Sequence, residues 1–175
     1  MVDSIILFLN HYLQSDYLLI IILTLLPFLE LRASIPYGVL IAKLGWMEVG
    51  ILAIISNIII GPLMYIILDK FISWLFFIKF FKTWYQNKII STQLKIKPLV
   101  QKYGLIGIAI FIGIPLPGSG VYSGAIAAYV INLGQKKFFV ATVLGVIIAA
   151  IIVTTITLFI DISSSFLWNL FIKKI

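Results

Sequence analysis

A helix-breaking run, residues 114–120 (IPLPGSG), constrains this chain more than any other feature. Its two prolines each remove an amide donor and obstruct helical hydrogen bonding, while Gly118 and Gly120 accept positive φ without a Cβ clash. The apolar stretches on either side, 105–114 and 121–131, are only about 10 residues long, whereas about 20 helical residues cross a hydrocarbon core. We therefore expect a turn at membrane depth, after which the chain returns to the face it entered from. A single proline-kinked span across both stretches is the alternative.

Composition supports a membrane setting. Hydrophobic residues make up 62% of the 175 residues and the mean hydropathy is +1.18, so an ordinary soluble domain with a polar shell is excluded. The first apolar run, 5–9, follows no basic segment and ends at Asn10 without a small-residue cleavage site. A removed signal peptide is therefore not expected.

Reactive and metal-binding side chains are scarce. The chain has no cysteine and one histidine, His11, which excludes thiolate chemistry and leaves little for a metal centre, so neither a metal nor a cofactor is predicted. The net charge of +7 is carried by lysines set between apolar blocks. This distribution suits anionic lipid headgroups rather than nucleic acid, and membrane lipids are the expected partners.

Two apolar runs are long enough to span a bilayer: 49–68, about 20 residues, and 138–160, about 23. Asn57 lies inside the first run, where it either lines a pathway or packs against another helix. Between the runs, aromatic residues and lysines alternate over 71–104, which predicts an amphipathic connector on the cytoplasmic side. Residues 5–13 and the C-terminal tail are expected to lie at the membrane interface as amphipathic helices.

A second broken segment lies nearer the N-terminus, between two further half-length apolar stretches. Pro27 and Pro36 bracket Glu30 and Arg32, the only glutamate and arginine inside an apolar region. Ionisable side chains at membrane depth are costly unless they are paired or hydrated, so they mark a functional site by default.

The chain divides into two halves that share one order of features: interfacial segment, broken hairpin, span. An offset of 89 residues superposes the two spans and sets Phe28 on Pro117 and Glu30 on Ser119. Each half contains one crossing and one hairpin that ends where it began, so the second half starts on the opposite face. The repeat is therefore inverted, a layout that is typical of secondary transporters.

The predicted fold is an all-α polytopic membrane protein with one domain over 1–175. Repeat 1 covers about 1–70, the basic connector about 71–104 and repeat 2 about 105–175, and each repeat has a re-entrant hairpin and one transmembrane helix. Lysines agree with this topology, because those from Lys70 to Lys102 and at 136–137 fall on one face. Lys43, Lys173 and Lys174 fall on the other. The first group is assigned to the cytoplasm.

Two segments, 26–38 (LPFLELRASIPYG) and 114–125 (IPLPGSGVYSGA), resemble the two signatures of the small multidrug export protein family. That family is similar to the DedA/VTT membrane proteins, and the resemblance covers nearly the whole chain. It implies two re-entrant hairpins, proton-motive coupling, a homodimer and a multi-pass location in a prokaryotic plasma membrane. DedA relatives are implicated in moving polyprenyl-phosphate carrier lipids, and eukaryotic VTT members in lipid scrambling.

The candidate site combines a proton carrier with an anion cradle. Glu30 is the predicted proton-coupling residue, and Arg32 can grip a phosphate through two parallel hydrogen bonds. The amides and hydroxyl of the second turn suit an anion at the start of the returning helix. Alternatively, Glu30 and Arg32 pair with each other to hold the hairpins together, which is compatible with the first role. The predicted substrate-binding residues are Arg32, Asn57, Pro117, Gly118, Ser119 and Gly120, and the predicted hairpin-turn residues are Pro27, Pro36, Pro115 and Gly124.

These features predict a proton-coupled transporter or flippase for a phosphate-bearing lipid carrier such as a polyprenyl phosphate. One alternative is an exporter of small cationic drugs, and another is a membrane scaffold without transport of its own. Arg32 beside Glu30 favours the anionic substrate. An enzyme is not expected, because a nucleophile elbow around Ser119 needs glycines where Pro117 and Val121 stand.

Overall fold

The computed structural model describes residues 15–75, 77, 91–116 and 118–171, and every regular element in those ranges is helical. A π-helical turn over Tyr37–Ile41 continues the second helix. The predicted interfacial segment 5–13, residues 76 and 78–90 of the connector, Pro117 and the two C-terminal lysines lie outside the described residues. The helices are α1 (Asp16–Leu25), α2 (Glu30–Pro36), α3 (Trp46–Leu75), α4 (Ser91–Gly113), α5 (Val121–Val130) and α6 (Gln135–Phe171).

Two helices are long and apolar enough to cross a membrane. These stretches are Trp46–Trp74 in α3 and Gln135–Ser163 in α6, each 29 residues, with mean hydropathies of 2.4 and 2.8. Only 22% and 33% of their most apolar windows are buried inside the protein, whereas the core helix of a soluble protein hides most of its surface. The two predicted spans lie within these two candidate membrane-spanning helices, and the chain is a membrane protein whose regular elements are all helical in the described residues.

The shorter helices form two helical hairpins. Helix α1 ends at Leu25 and packs on α2, and α4 ends at Gly113 and packs on α5. A single kinked helix through 114–120 is thereby excluded. Helix α4 begins at Ser91, well before the apolar stretch predicted from residue 105, and it continues through a polar segment that contains Pro98.

By internal contacts the chain forms two compact units, Met1–Ser56 with Ala149–Ile175, and Asn57–Ile148. We call these unit 1 and unit 2. Each holds one hairpin with a segment of α3 and a segment of α6. The two units thus divide both spanning helices, whereas the predicted halves followed chain order and assigned one whole span to each.

Within each unit, the segments of α3 and α6 run antiparallel. In unit 1, Lys43 Nζ, just before α3, lies 3.4 Å from Asp161 Oδ1 late in α6. In unit 2, Tyr65 in the later part of α3 stacks on Phe138 at the start of α6, with ring centroids 5.3 Å apart.

Backbone geometry repeats at the predicted offset of 89 residues. Lys43 and Asn132 precede the spans with φ of 54° and 56°. The first helical bonds also correspond, since the Val49 amide donates to Gly45 over 3.1 Å and the Phe138 amide to Gly134 over 3.0 Å. The two halves therefore share these two features where they enter their spans, although Gly134 has a positive φ of 83° and its counterpart Gly45 does not have a positive φ.

At the hairpin turns the correspondence shifts by one residue. Positive φ occurs at Phe28 (72°) and Glu30 (48°) and again at Gly118 (83°) and Gly120 (116°), which is an offset of 90 rather than 89. The extra residue lies in the π-helical turn Tyr37–Ile41, because a π turn accommodates one more residue than an α turn. The register that set Glu30 on Ser119 is thus corrected to Glu30 on Gly120.

Candidate functional site

Glu30 occupies a constrained position at the turn of the first hairpin. It is the first residue of α2, its side chain is 4% exposed, and its amide donates to the Leu26 carbonyl over 3.2 Å. Its φ of 48° lies in the left-handed region, which costs a residue with a Cβ about 1–2 kcal/mol. Buried ionisable groups in strained backbone concentrate at functional sites.

Hydroxyl contacts hold the two helices of this hairpin together around Glu30. The Thr24 hydroxyl lies 2.7 Å from the Ile20 carbonyl and 2.7 Å from Ser34 Oγ, and both Thr24 and Ser34 are fully buried. The bond between the two hydroxyls links α1 to α2 in an apolar interior. Gly38 adds close packing, because a Cβ there would lie 2.7 Å from the methyl groups of Val49.

Two tyrosines tie the open end of the first hairpin to its surroundings in unit 1. The Tyr37 hydroxyl donates to Asp16 at the start of α1, and the Tyr17 hydroxyl donates to Glu48 in α3, each over 2.9 Å. The bond to the Glu48 carboxylate raises the pKa of Tyr17. The hairpin is therefore fixed at both ends.

Arg32 follows Glu30 by two residues and is partly buried. The Glu30 carboxylate attracts the Arg32 guanidinium electrostatically. The two predicted ionisable residues are thus close enough to interact electrostatically. Pro27 lies in the turn before them, whereas Pro36 is the last residue of α2 and lies inside the helical run.

The second turn has the backbone geometry that its glycines predict. Gly118 and Gly120 have φ of 83° and 116°, and a Cβ on Gly118 would meet no neighbour. Glycine is thus required there for backbone conformation rather than for space. Gly120 is the N-cap of α5, and Gly124 lies within that helix, where a Cβ would be 2.7 Å from Ile112 of α4.

Ser119 stabilises the second turn with its hydroxyl. Its Oγ lies 2.6 Å from the Ile114 carbonyl and 2.8 Å from the Leu116 carbonyl, and it accepts the Leu116 amide over 3.2 Å. Pro115 lies between these partners and blocks a helical continuation. Substrate binding by Ser119 stays a prediction, and Pro117 is outside the described residues.

Two polar side chains, Asn57 of α3 and Thr142 of α6, lie in the apolar interior of unit 2, and we refer to the two together as the polar patch. Both are fully buried, and among the described side chains Asn57 Oδ1, Asn57 Nδ2 and Thr142 Oγ1 are the buried polar atoms without a hydrogen-bond partner. Gly61, one helical turn after Asn57, faces Thr142, whose Oγ1 would be 3.3 Å from a Cβ at Gly61. Val121, the first residue of α5, lies 3.1 Å from the same point. The patch therefore adjoins the helix that follows the second turn.

Sequence reasoning identified Asn57 but missed Thr142. Hydroxyls in apolar helices usually bond to a carbonyl one turn earlier. The Thr155 and Thr157 hydroxyls do so, over 2.7 Å and 2.8 Å. Thr142 looks the same in sequence, so only the contacts distinguish it. An unpartnered buried hydroxyl or carboxamide is costly, and such groups commonly bind a ligand, water or ion.

The described residues therefore provide three polar features in an apolar helical protein: a strained buried carboxyl with an arginine beside it, a glycine-based turn, and an unpartnered polar patch. Within the same residues, no group of three histidine, cysteine, aspartate or glutamate side chains is close enough to hold a metal ion. This arrangement defines a helical membrane protein with ionisable and polar groups in its interior.

Residues 30–152 match the family described as "Putative small multi-drug export protein". The match covers more than half of the chain, and the chain belongs to this family. It begins at Glu30 and includes Arg32, Asn57, the second turn and Thr142. No curated protein and no solved structure matches the chain. The resemblance to the family is confirmed, and the relationship to the DedA/VTT proteins stays a prediction.

Proposed function

We propose that this protein is a proton-coupled exporter of small lipophilic cations. The observation that carries the proposal is the Glu30 carboxyl, 4% exposed at the turn of a helical hairpin in a membrane protein. An intramembrane acid is retained because it carries a proton or a cationic substrate. The description of the family as small multi-drug export proteins supports this substrate class over a phosphate-bearing lipid.

Exchange at one carboxyl explains how export is coupled to protons in this proposal. A carboxylate that holds a lipophilic cation releases it when a proton neutralises the acid, and the cation returns only after the proton leaves. Arg32 lowers the cost of the charged form of Glu30 while the site is empty. Asn57 and Thr142 supply hydrogen-bonding groups in the interior of unit 2 without adding charge.

The hairpins are re-entrant in this proposal, with Glu30 near the membrane midplane. Helix α1 has 10 residues, or about 15 Å of helix, which is about half of a hydrocarbon core. The two halves have opposite topologies in this proposal, and the recurrence of positive φ at the turns and before the spans supports an internal repeat. We place the protein in the plasma membrane of a prokaryotic cell, as a homodimer.

The test is transport of ethidium by purified protein in liposomes under an imposed pH gradient. We expect Glu30→Gln to abolish pH-driven transport, since an amide neither titrates nor balances a cation. Asp69→Asn is the matched control, because it removes the same charge from an exposed side chain of α3 that has no role in the hairpin. Transport by Glu30→Gln with an unchanged pH profile would assign the coupling proton to another group.

A phosphate-bearing lipid carrier is the second candidate substrate, and the partly buried Arg32 is the observation that favours it. A guanidinium binds phosphate through two parallel hydrogen bonds, which lysine cannot reproduce. The proposed relationship to the DedA/VTT proteins points to the same substrate class. The glycine-based second turn, with backbone amides at the start of α5, also suits an anion.

Affinity for a short-chain polyprenyl phosphate separates the two candidates. If the lipid is the substrate, Arg32→Lys should weaken binding by about 1–3 kcal/mol, the range for hydrogen bonds to charged groups. Gly118→Val should weaken it at least as much, because a β-branched residue disfavours a φ of 83°. Equal affinities for wild type and both variants, with ethidium transport intact, would exclude the lipid and retain the exporter.

A further inference from the structure

Unit 1 carries an apolar groove between its segments of α3 and α6. Its volume is ≈ 460 Å³, and no ionisable side chain is among its lining residues. Met47, Ile51 and Ile151 line it and are 60%, 56% and 61% exposed. In a membrane these surfaces meet hydrocarbon chains. The full lining is Trp46, Met47, Gly50, Ile51, Ile54, Ala150, Ile151, Thr154, Thr155 and Leu158.

Unit 2 carries a groove of ≈ 470 Å³ at the equivalent position. All five of its lining residues lie 89 positions from a lining residue of the first groove, which is the offset that relates the two spans. The two grooves are therefore counterparts within the internal repeat. The equivalent pairs are Trp46 and Gln135, Met47 and Lys136, Gly50 and Phe139, Ile51 and Val140, and Pro62 and Ile151.

The mouths of the two grooves differ in charge. Met47 in unit 1 is replaced by Lys136 in unit 2, and Trp46 by Gln135. The floor of the second groove stays apolar, with Phe139 and Val140 44% and 45% exposed. The groove in unit 2 thus combines a cationic and hydrogen-bonding mouth with a hydrocarbon-like floor.

We propose that the groove in unit 2 binds one anionic phospholipid. The phosphate binds to Lys136 and Gln135, and an acyl chain lies against Pro62, Phe139 and Val140. The charge at the mouth selects the anionic headgroup, since basic pockets at the ends of membrane helices attract anionic lipids. The groove in unit 1 is lined by the equivalent residues but has no charged side chain. It should therefore accept acyl chains without selecting a lipid headgroup.

The experiment is native mass spectrometry of the full chain, purified in detergent and titrated with phosphatidylglycerol or phosphatidylcholine. We expect one phosphatidylglycerol to be retained per protomer at concentrations where phosphatidylcholine is lost. Lys136→Met, which copies the residue from the equivalent position of unit 1, should weaken phosphatidylglycerol retention by roughly fivefold or more. Retention of phosphatidylcholine should not change.

Lys102→Met is the matched control, because it removes the same charge from an exposed lysine of unit 2 that does not line the groove. Its retention of phosphatidylglycerol should stay within about twofold of wild type. Val140→Trp keeps the lysine and fills the groove, so it should reduce retention as Lys136→Met does. Equal losses in Lys136→Met and Lys102→Met would overturn the proposal in favour of a diffuse basic surface. Full retention of phosphatidylglycerol by Val140→Trp would also overturn it. So would a lipid-free dimer that Val140→Trp dissociates, because the groove would then be an interface between two copies of the chain.

Discussion

Thr142 shows how much a single hydroxyl depends on its surroundings. It is fully buried with an unpartnered Oγ1, whereas the buried Thr157 hydroxyl bonds to the Val153 carbonyl over 2.8 Å. The two residues lie on one helix and are both buried, but only the Thr157 hydroxyl is satisfied. An unsatisfied buried hydroxyl is costly, so its removal should affect stability differently from the removal of a satisfied one.

Substitution by valine, which matches threonine in shape, separates the two residues. Thr157→Val should lower the stability by about 0.5–1.5 kcal/mol, because it removes a made hydrogen bond. Thr142→Val should leave stability unchanged or raise it by about 1 kcal/mol, because it removes an unsatisfied polar atom. The same substitution should reduce ethidium transport. Thermal unfolding in detergent and liposome transport are the two measurements. A Thr142→Val protein that is destabilised like Thr157→Val would show that its hydroxyl is satisfied.

Two glycines in the helices of unit 2, Gly145 and Gly107, have very different surroundings. A Cβ on Gly145 of α6 would lie 2.7 Å from the Ala109 carbonyl oxygen of α4, so the two backbones are in close contact. Gly107, on the same α4, has open space around its Cβ position. Gly145 is thus required by helix packing, whereas Gly107 has room for a larger side chain.

Alanine at these two positions should change stability in opposite directions. Gly145→Ala should cost about 1–3 kcal/mol, because a backbone carbonyl cannot move aside as a side chain can. Gly107→Ala should raise stability by up to about 1 kcal/mol through helix propensity. The measurement is thermal unfolding in detergent of the two variants beside wild type. Equal effects would mean that α4 and α6 are not in close contact at Gly145.

The elements were largely predictable, and their exact pairing was not. Long apolar runs and the proline- and glycine-rich breaks carry strong local signals, so the two spans and both hairpin breaks follow from the sequence. The extra residue in Tyr37–Ile41 has no such signal, because a π turn differs from an α turn only in hydrogen-bond partners. The grooves were not predictable either, since each is made by side chains from two helices that are distant in sequence.

At the scale of the whole molecule, the charged residues at the ends of the spanning helices indicate the orientation of the protein in the membrane. In unit 1, Lys43, in the loop that precedes α3, lies 3.4 Å from Asp161 of α6. In unit 2 the later part of α3 meets the start of α6, where Lys136 and Lys137 lie. Lysines accumulate on the cytoplasmic side of membrane proteins. The lysines at the start of α6 are thus expected to lie inside the cell and Lys43 outside it.

Cysteine labelling tests this topology, and the chain has no native cysteine to interfere. Lys136→Cys and Lys102→Cys should react with a membrane-impermeant maleimide only after the cytoplasmic side is opened, because both positions belong to the lysine-rich face. Lys43→Cys should react in intact cells. All three side chains are exposed, so a lack of reaction reports membrane sidedness rather than burial. Labelling in detergent verifies that each cysteine is accessible. Reaction of positions 43 and 102 from the same side would be incompatible with opposite topologies of the two halves, because α3 would then fail to cross the membrane.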